Sequence, residues 1–364
     1  MSARLGALAL ATALAVGCAG PGGTARPAAS ASPLPQTMLS AAAAEGALAL
    51  QWTAGMHDNA DELRRQTEGF NKSLGLALKV TYTPGPSQNE MTARVIQAVQ
   101  AGKPSPTDIV LADESQILAL AKANALESVL WTTWAPNITN PRLATPGGMA
   151  VQVQTRIPGI TYSTRLSGSA PQTLADLLRP GLRGRILTGA EGAVFEHLGS
   201  PELWGAGRTL DFMRRFSAQV GDFAACGEEV RLTQGAYDVF VFDCGGNRNA
   251  QLVKKGLALG WAIPTDAALV GYLYMAIPRT APHPNAAKLW INYTLSRAAQ
   301  DLMFEYELAD LHLLPGSHSF ADVDRYTKQG YRFFELTVEF AQVQENRGVR
   351  SVRPEIQSML ARRG

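Results

Sequence analysis

The spacing of apolar residues between positions 48 and 121 changes repeatedly from a period of two, typical of strands, to the three-to-four spacing of helices. Leu48, Leu50 and Trp52 alternate with other residues and predict a strand that ends at Thr53. The predicted elements that follow are a helix at 63–74, a strand at 76–82, a helix at 91–99, a strand at 108–112 and a helix from 117. Three strand–helix units in succession predict a parallel sheet with right-handed crossovers.

A similar alternation returns after position 185 and predicts a second lobe of the same kind. Its predicted elements are a strand at 185–188, a helix that carries Phe212 and Phe216, a strand at 237–242 and a helix at 252–257. The segment 151–162 contains a strand-like VQVQ and links the two halves. The fold class predicted from the pattern is therefore α/β, with two lobes and a strand that crosses between them.

The carboxyl ends of the predicted strands are the expected place for a ligand, because open α/β sheets bind ligands there. Helices begin at several of these ends, so free backbone N–H groups favour an anion. The candidate ligand-binding residues are Thr53, His57, Asp113, Ser115, Tyr162, Glu191, Gly192, Asp243, Gly245, Gly246 and Arg248.

Several of these candidates also have a purely structural interpretation. Asp113 and Ser115 can cap the helix that follows them, and Glu191 can be a first-turn acid that interacts with a helix dipole. Arg248 can be a solvated charge, and Tyr162 a half-buried packing aromatic. The sequence leaves both interpretations open.

The first residues of the chain predict an export signal. Arg4 is followed by the apolar run from Leu5 to Val16, which is shorter than the roughly 20 residues of a membrane-spanning helix. The Gly17–Cys18 step after it resembles the lipobox of bacterial lipoproteins, which implies a signal peptide at 1–17 and lipidation of Cys18. The alternative is an ordinary secretory signal with Cys18 unmodified. Residues 18–46 are predicted to be the lipidated cysteine and a flexible tether, because most of this stretch is rich in Ala, Gly, Pro, Ser and Thr.

Composition and charge exclude several classes of protein. Lys+Arg number 33 and Asp+Glu 31, so the net charge of +2 argues against a nucleic-acid partner. A hydrophobic share of 46% predicts a packed core rather than a disordered chain. Three cysteines are too few for a zinc framework. In an exported protein, Cys226 and Cys244 can form a disulfide, although two buried thiols are the alternative.

The chain carries none of the common hydrolase or nucleotide-binding motifs. It has no Gly-x-Ser-x-Gly elbow, no His-Glu-x-x-His and no Gly-rich phosphate loop, so we predict that it is not an enzyme. A secreted enzyme or a structural lipoprotein is the alternative from another functional class.

Four segments together resemble the extracellular solute-binding proteins of ABC importers, over about 48–303. They read TAGMHDNADELRRQTEGFN followed by LKVTY, PTDIVLADESQILALAKANALESV, ITYSTRLSGSAPQTLADLLRPGLRGRIL, and HPNAAKLWINYTLSRAAQDLM. The resemblance implies the type II periplasmic-binding-protein fold, in which two lobes, each a mostly parallel sheet flanked by helices, enclose a hinged cleft. It places the first part of lobe 1 at 47–155, lobe 2 at 156–262 and the return to lobe 1 at 263–317. Residues 318–364 lie outside the resemblance, and their amphipathic pattern predicts a C-terminal helical extension.

The sequence is most similar to the ferric-ion-binding-like branch of that family. His57 and Asp113 match the histidine and the carboxylate that bind metal there, whereas Gly245 and Gly246 stand where the branch has two adjacent tyrosines. Ferric iron prefers anionic oxygen ligands, so iron binding through His57 and Asp113 would need Tyr162, Tyr237 or a bound anion. Iron or an iron chelate is therefore the alternative ligand. We expect instead a small anionic or phosphorylated solute, which Arg248 could pair with, ahead of polyamines and thiamine-like molecules.

The resemblance also implies a biological role. We expect an extracytoplasmic, membrane-anchored lipoprotein of the periplasm or outer face of the cell membrane, which captures a small solute by hinge closure. Its expected partners are an ABC permease with its ATPase, and the membrane through the lipid anchor. We expect a monomer with no cofactor, with ferric iron only as a possible ligand.

Overall fold

The computed structural model describes residues 34–53, 56–349 and 351–362, and the predicted signal peptide and Cys18 lie outside them. The strands are β1 (Ala47–Trp52), β2 (Lys79–Pro84), β3 (Val110–Ala112), β4 (Ala150–Arg156), β5 (Ile160–Ser163), β6 (Ile186–Thr188), β7 (Val220–Phe223), β8 (Val239–Val241), β9 (Leu259–Ala262), β10 (Leu269–Ala276) and β11 (Phe334–Glu335). The helices are α1 (Gln36–Glu45), α2 (Ala60–Leu74), α3 (Gln88–Gln100), α4 (Glu114–Lys122), α5 (Ala193–Leu198), α6 (Gly205–Ser217), α7 (Gly246–Lys254), α8 (Pro284–Thr294), α9 (Arg297–Glu307), α10 (His318–Lys328), α11 (Val338–Asn346) and α12 (Arg353–Ala361).

The first lobe is built on β1, β2, β3, β4 and β10. β1 pairs with β2 in parallel, and a parallel bridge between Leu50 and Ile109 places β1 beside the start of β3. β10 runs antiparallel to both β3 and β4. Large side chains from β1, α2 and α8, such as Trp52, Phe70 and Trp290, are fully buried in the first core.

The second lobe contains a five-stranded sheet in the order β7-β6-β8-β5-β9. β6 is parallel to β7 and β8, whereas β5 is antiparallel to β8 and β9. Phe195 of α5, Phe216 of α6 and Val239 of β8 are buried together in the second core.

Each lobe therefore contains antiparallel strand pairs beside the parallel pairs predicted from the strand–helix alternation. The antiparallel strands β10 and β5 enter their sheets directly from the other lobe. A parallel neighbour needs a crossover connection within its own sheet, and these two strands have none. The chain crosses from β4 to β5 and returns from β9 to β10.

The segment 36–45 was predicted to belong to a flexible tether, and that prediction is wrong. It forms α1, which packs on α8 and buries Ala42 completely. Alanine has the highest intrinsic helix propensity, so the alanine-rich segment that suggested a linker can also form a helix. Packing against α8 stabilises that helix.

The C-terminal extension contacts both lobes. Val338 at the start of α11 is buried in the first core, whereas Val352, Ile356 and Leu360 in and just before α12 are buried in the second core. None of the helices in the described part of the chain combines the length and apolarity that a bilayer crossing requires.

Candidate functional site

Asp113 lies at the boundary between the lobes, directly after β3. It occupies the N-cap position of α4, but its carboxylate makes no capping hydrogen bond within the described residues. Ser115 donates its hydroxyl to Asp113 Oδ1 at 3.1 Å. Burial, and then the neighbouring charge of Glu114, raises the pKa of Asp113 to about 6, despite opposing effects of Ser115 and Arg156. The carboxylate is thus oriented without being used as a cap.

Arg156 is the last residue of β4 and lies where the chain leaves the first lobe. Its Nη2 donates to the carbonyl oxygen of Cys244 in the second lobe at 3.2 Å. Burial lowers the pKa of Arg156, while Asp113, Glu307 and Asp243 favour its charged form. Arg156 is thus a half-buried arginine with three carboxylates around it at the crossing between the lobes. Sequence reasoning missed it, although an arginine that ends a crossing strand was a usable signal.

The loop that receives Arg156 is fixed by a disulfide and by Asp243. Cys226 and Cys244 are bonded, with their Cα atoms 5.6 Å apart. The buried Asp243 carboxylate accepts hydrogen bonds from the backbone N–H groups of Gly159 and Gly245 and from the Thr161 hydroxyl. Burial raises the pKa of Asp243, and these donors oppose that shift. Its oxygens are committed to the loop, so the contacts of Asp243 are structural.

The two glycines at the start of α7 allow close packing. Gly245 has φ +99°, and a Cβ at Gly246 would lie 2.9 Å from the Trp261 ring. The space beside Gly246 is therefore filled by the Trp261 ring.

Arg248 and Tyr162 contact residues of their own, second lobe. The Nε of Arg248 lies 3.8 Å from Oε1 of the buried Glu229. The Tyr162 ring lies over Gly260, where an added Cβ would be 2.4 Å from the ring. Across the described residues, no hydrogen bond, ion pair or ring contact joins either side chain to Asp113 or Arg156.

The loop after β6 carries two of the predicted ligand-binding residues, and their surroundings differ. Glu191 is exposed and accepts hydrogen bonds from the Asn89 amide of the first lobe at 3.0 and 3.1 Å. Gly192 is buried with φ +61°, and a Cβ there would lie 2.4 Å from Ile356 of α12. Glu191 therefore faces the other lobe, whereas Gly192 supports the C-terminal helix.

The loop after β1 points its histidine into the first core. His57 is 2% exposed, its Nδ1 lies 2.9 Å from Glu62 Oε1, and its ring packs against Trp52 and Trp290. Its backbone N–H donates to Glu307 Oε1 at 3.2 Å. Thr53, at the end of β1, is exposed, and its carbonyl accepts the Tyr82 hydroxyl at 3.3 Å.

His57, Glu62 and Glu307 form a buried group whose ligand-type atoms all lie within 4.8 Å of one another. Burial, and then the charge of Glu62, raises the pKa of Glu307 to about 8. This donor set offers one imidazole and two carboxylates without a phenolate, which fits ferric iron poorly. Tyr237 does not supply the missing ligand, because its ring lies under Arg231. Within the described ranges no contact joins His57 to Asp113, the pair proposed for metal.

The two lobes touch on both sides of Arg156. Glu114 of α4 lies 3.0 Å from Nε2 of His197 on α5. Elsewhere, Gln251 of α7 donates to the backbone carbonyl of Glu307 at the end of α9, at 2.8 Å. These contacts join the two lobes directly.

Two helix starts at this boundary keep their first backbone N–H groups uncapped. α4 and α7 have no side-chain cap in the described structure, whereas α2 is capped by Asn59 and α3 by Ser87. Uncapped N–H groups at a helix start favour a negatively charged group. Together with Arg156 they make part of the boundary suitable for an acid, while Asp113 offers an acceptor.

Two surface cavities, of about 420 and 570 Å³, lie elsewhere. One is lined by charged residues of α2 and α9, including Arg65 and Asp301, and the other includes Arg279 and Lys288. Neither includes any residue that the sequence proposed for ligand binding.

The chain matches a family model described as bacterial extracellular solute-binding protein over residues 66–332. Its fold is also similar to that of AgtB from A. tumefaciens R10, solved with agropinic acid, at 18% identity and a TM-score of 0.64 over 87% of this chain and 99% of AgtB. The apo ferric ion-binding protein A of Pasteurella haemolytica matches at 16% identity and a TM-score of 0.64, over 87% of this chain and 97% of that protein. AfuA from Actinobacillus pleuropneumoniae, solved with fructose-6-phosphate, matches at 18% identity and a TM-score of 0.59, over 73% of this chain and 85% of AfuA.

Proposed function

The chain belongs to the bacterial extracellular solute-binding proteins, whose role is solute import, and we propose that its solute is a small organic acid that also carries hydrogen-bond donors. The fold is the two-lobed type II periplasmic-binding-protein fold, with a hinged cleft between the lobes. In the proposed complex the solute lies between Asp113 and Arg156, and closure of the lobes surrounds it.

The observation that carries this proposal is the position of Arg156. A half-buried arginine at the crossing strand, adjacent to a carboxylate and to two uncapped helix starts, is suited to bind a carboxylate or phosphate group of a solute. Arg156 thereby takes the role that the sequence had suggested for Arg248.

The surrounding charges favour an acid with donors over a strongly charged phosphate. The carboxylates of Asp113 and Asp243 lie near Arg156 and favour its charged form. A solute amine or hydroxyl can donate to Asp113, whereas a dianion would be repelled by both carboxylates. AgtB, solved with agropinic acid, and AfuA, solved with fructose-6-phosphate, are precedents for small-molecule binding on this fold.

We also propose where the protein acts and how it delivers its solute. The protein acts outside the cytoplasm, anchored through a lipid on Cys18, and works as a monomer. Its closed form delivers the solute to an ABC permease driven by an ATPase, and the protein itself catalyses no reaction.

Isothermal titration calorimetry of the purified full chain tests the proposal. The panel contains agropinic acid and other small organic acids, fructose-6-phosphate, spermidine and ferric citrate. We expect saturable binding of at least one organic acid and weaker or no binding of spermidine. Binding of spermidine alone would overturn the assigned ligand charge. Binding of ferric citrate alone would restore the iron alternative.

A further inference from the structure

We infer that Glu114 and His197 form a clasp that stabilises the closed form before any solute binds, and that deprotonation of His197 releases it. The inference goes beyond solute recognition and rests only on the hinged closure of the proposed function.

The clasp joins residues that belong to different cores. Glu114 is the first residue of α4, which packs in the first core through the buried Ile117 and Leu120. His197 lies in α5, which packs in the second core through Phe195 and Leu198. The 3.0 Å contact between His197 Nε2 and Glu114 Oε1 therefore exists only while the lobes are together.

Because Glu114 and His197 are largely buried, the strength of their interaction depends on whether His197 is charged. The side chain of Glu114 is 8% exposed and that of His197 is 16% exposed, so both groups are largely removed from water in the closed form. A buried carboxylate is stabilised far better by an imidazolium than by a neutral imidazole. Opening returns both groups to water and removes that preference.

The carboxylates around His197 all favour its protonated form. Burial lowers the pKa of His197, but Glu114, with smaller effects of Glu196 and Asp113, outweighs burial and raises it overall. Glu196 is itself paired with Arg353 of α12 at 2.5 Å, which leaves Glu114 as the principal partner. A pKa raised in the closed form means that closure binds a proton. The stabilisation is complete below the ordinary histidine pKa of about 6.5 and is lost as the pH rises through the higher value of the closed form.

A second contact between the lobes lacks this sensitivity. Asn89 donates to Glu191 at 3.0 Å and accepts from Gln116 at 2.7 Å, and these groups are largely exposed. The side-chain amides of Asn89 and Gln116 do not titrate, so this contact persists across the neutral pH range. It therefore contributes to closure independently of pH.

The test is small-angle X-ray scattering of the full chain without solute, at about pH 6.5 and about pH 8.5, where histidine loses its charge. We expect the radius of gyration of the wild type to increase at the higher pH. His197→Gln keeps a polar side chain of similar size but cannot become charged, so we expect it to lose most of that increase. Glu114→Gln removes the other partner and is expected to behave in the same way.

The matched control is His283→Gln. His283 Nδ1 lies 2.8 Å from Asp108 Oδ2, and both residues belong to the first lobe, so this histidine–carboxylate pair does not cross the cleft. The control is expected to keep the wild-type response. Asp113 and Glu307 are unchanged in every variant. A small change of the radius of gyration with pH that all variants share is therefore not evidence about the clasp.

Either of two outcomes would overturn the inference: a wild-type radius that does not change with pH, or a His197→Gln variant that responds as the wild type does. Circular dichroism confirms that each variant is folded, and Glu114→Gln serves as the second test if His197→Gln is not. If a solute that binds in calorimetry contracts the protein at both pH values while the solute-free radius stays constant, hinge closure stands and only the clasp fails.

Discussion

At the scale of single residues, the two arginines near the boundary between the lobes have different surroundings. Arg156 reaches the Cys244 carbonyl across the crossing, whereas Arg248 faces Glu229 within the second lobe. We predict that Arg156→Gln weakens binding of the organic acid by about 10- to 100-fold, because a hydrogen bond to a charged group contributes about 1.5–3 kcal/mol. Arg248→Gln is the comparison and should change the affinity much less. Calorimetry measures both, and a larger loss in Arg248→Gln would contradict the assignment.

Glu307 provides a second prediction at this scale, which concerns stability. Burial raises its pKa to about 8, so the folded protein keeps a proton that the unfolded chain has already released. Its contribution to stability is complete below the unfolded pKa of about 4.3 and is lost as the pH rises toward about 8. We predict that the midpoint of thermal unfolding falls between about pH 5 and pH 8.5, and falls less in Glu307→Gln.

The control for this titration is Glu305→Gln, in the same helix but at a side chain that is 53% exposed. It should show the wild-type pH dependence, because the buried carboxyl of Glu307 is retained in this variant. Equal pH dependence in the wild type and Glu307→Gln would rule out the buried proton.

At the scale of elements, the C-terminal segment supports both helices of the clasp. α11 packs on α4, and α12 packs on α5 and α6. Ile356 is fully buried and lies against Gly192, the residue that directly precedes α5. We predict that Ile356→Ala lowers the free energy of unfolding by about 2–5 kcal/mol, since it leaves a cavity in the second core. Urea denaturation measures this change.

Gln357→Ala is the matched substitution on the exposed face of α12 and should change stability by about 0.5 kcal/mol or less. A similar loss in both variants would show that α12 does not contribute to the core.

Local patterns predicted the elements well but not their tertiary partners. Alternation predicted a strand from 76, yet β2 begins at Lys79, because the Asn71 side chain takes both backbone hydrogen bonds of Leu78. The strand ends were correctly expected near His57 and Asp113. The His57 side chain, however, points into the first core, where it contacts Glu62. Side-chain direction depends on packing between segments distant in sequence, as with Arg156 and Cys244, and no local pattern encodes it.

At the scale of the whole molecule, the chain connects the two lobes at three places. β4 leads into β5, and β9 leads back into β10, while the C-terminal segment contributes to both cores. The contacts of Glu114 with His197 and of Gln251 with Glu307 hold the halves together on either side of Arg156. A solute bound at Asp113 and Arg156 would add further contacts in the closed form and shift the population toward it.

The most direct experiment compares the radius of gyration of the full chain with and without the organic acid selected by calorimetry. We choose about pH 8.5, where the unliganded protein is expected to be most open. At saturation the radius should decrease, because the solute bridges the two lobes and favours closure. A radius that is unchanged at saturating solute would contradict capture between hinged lobes.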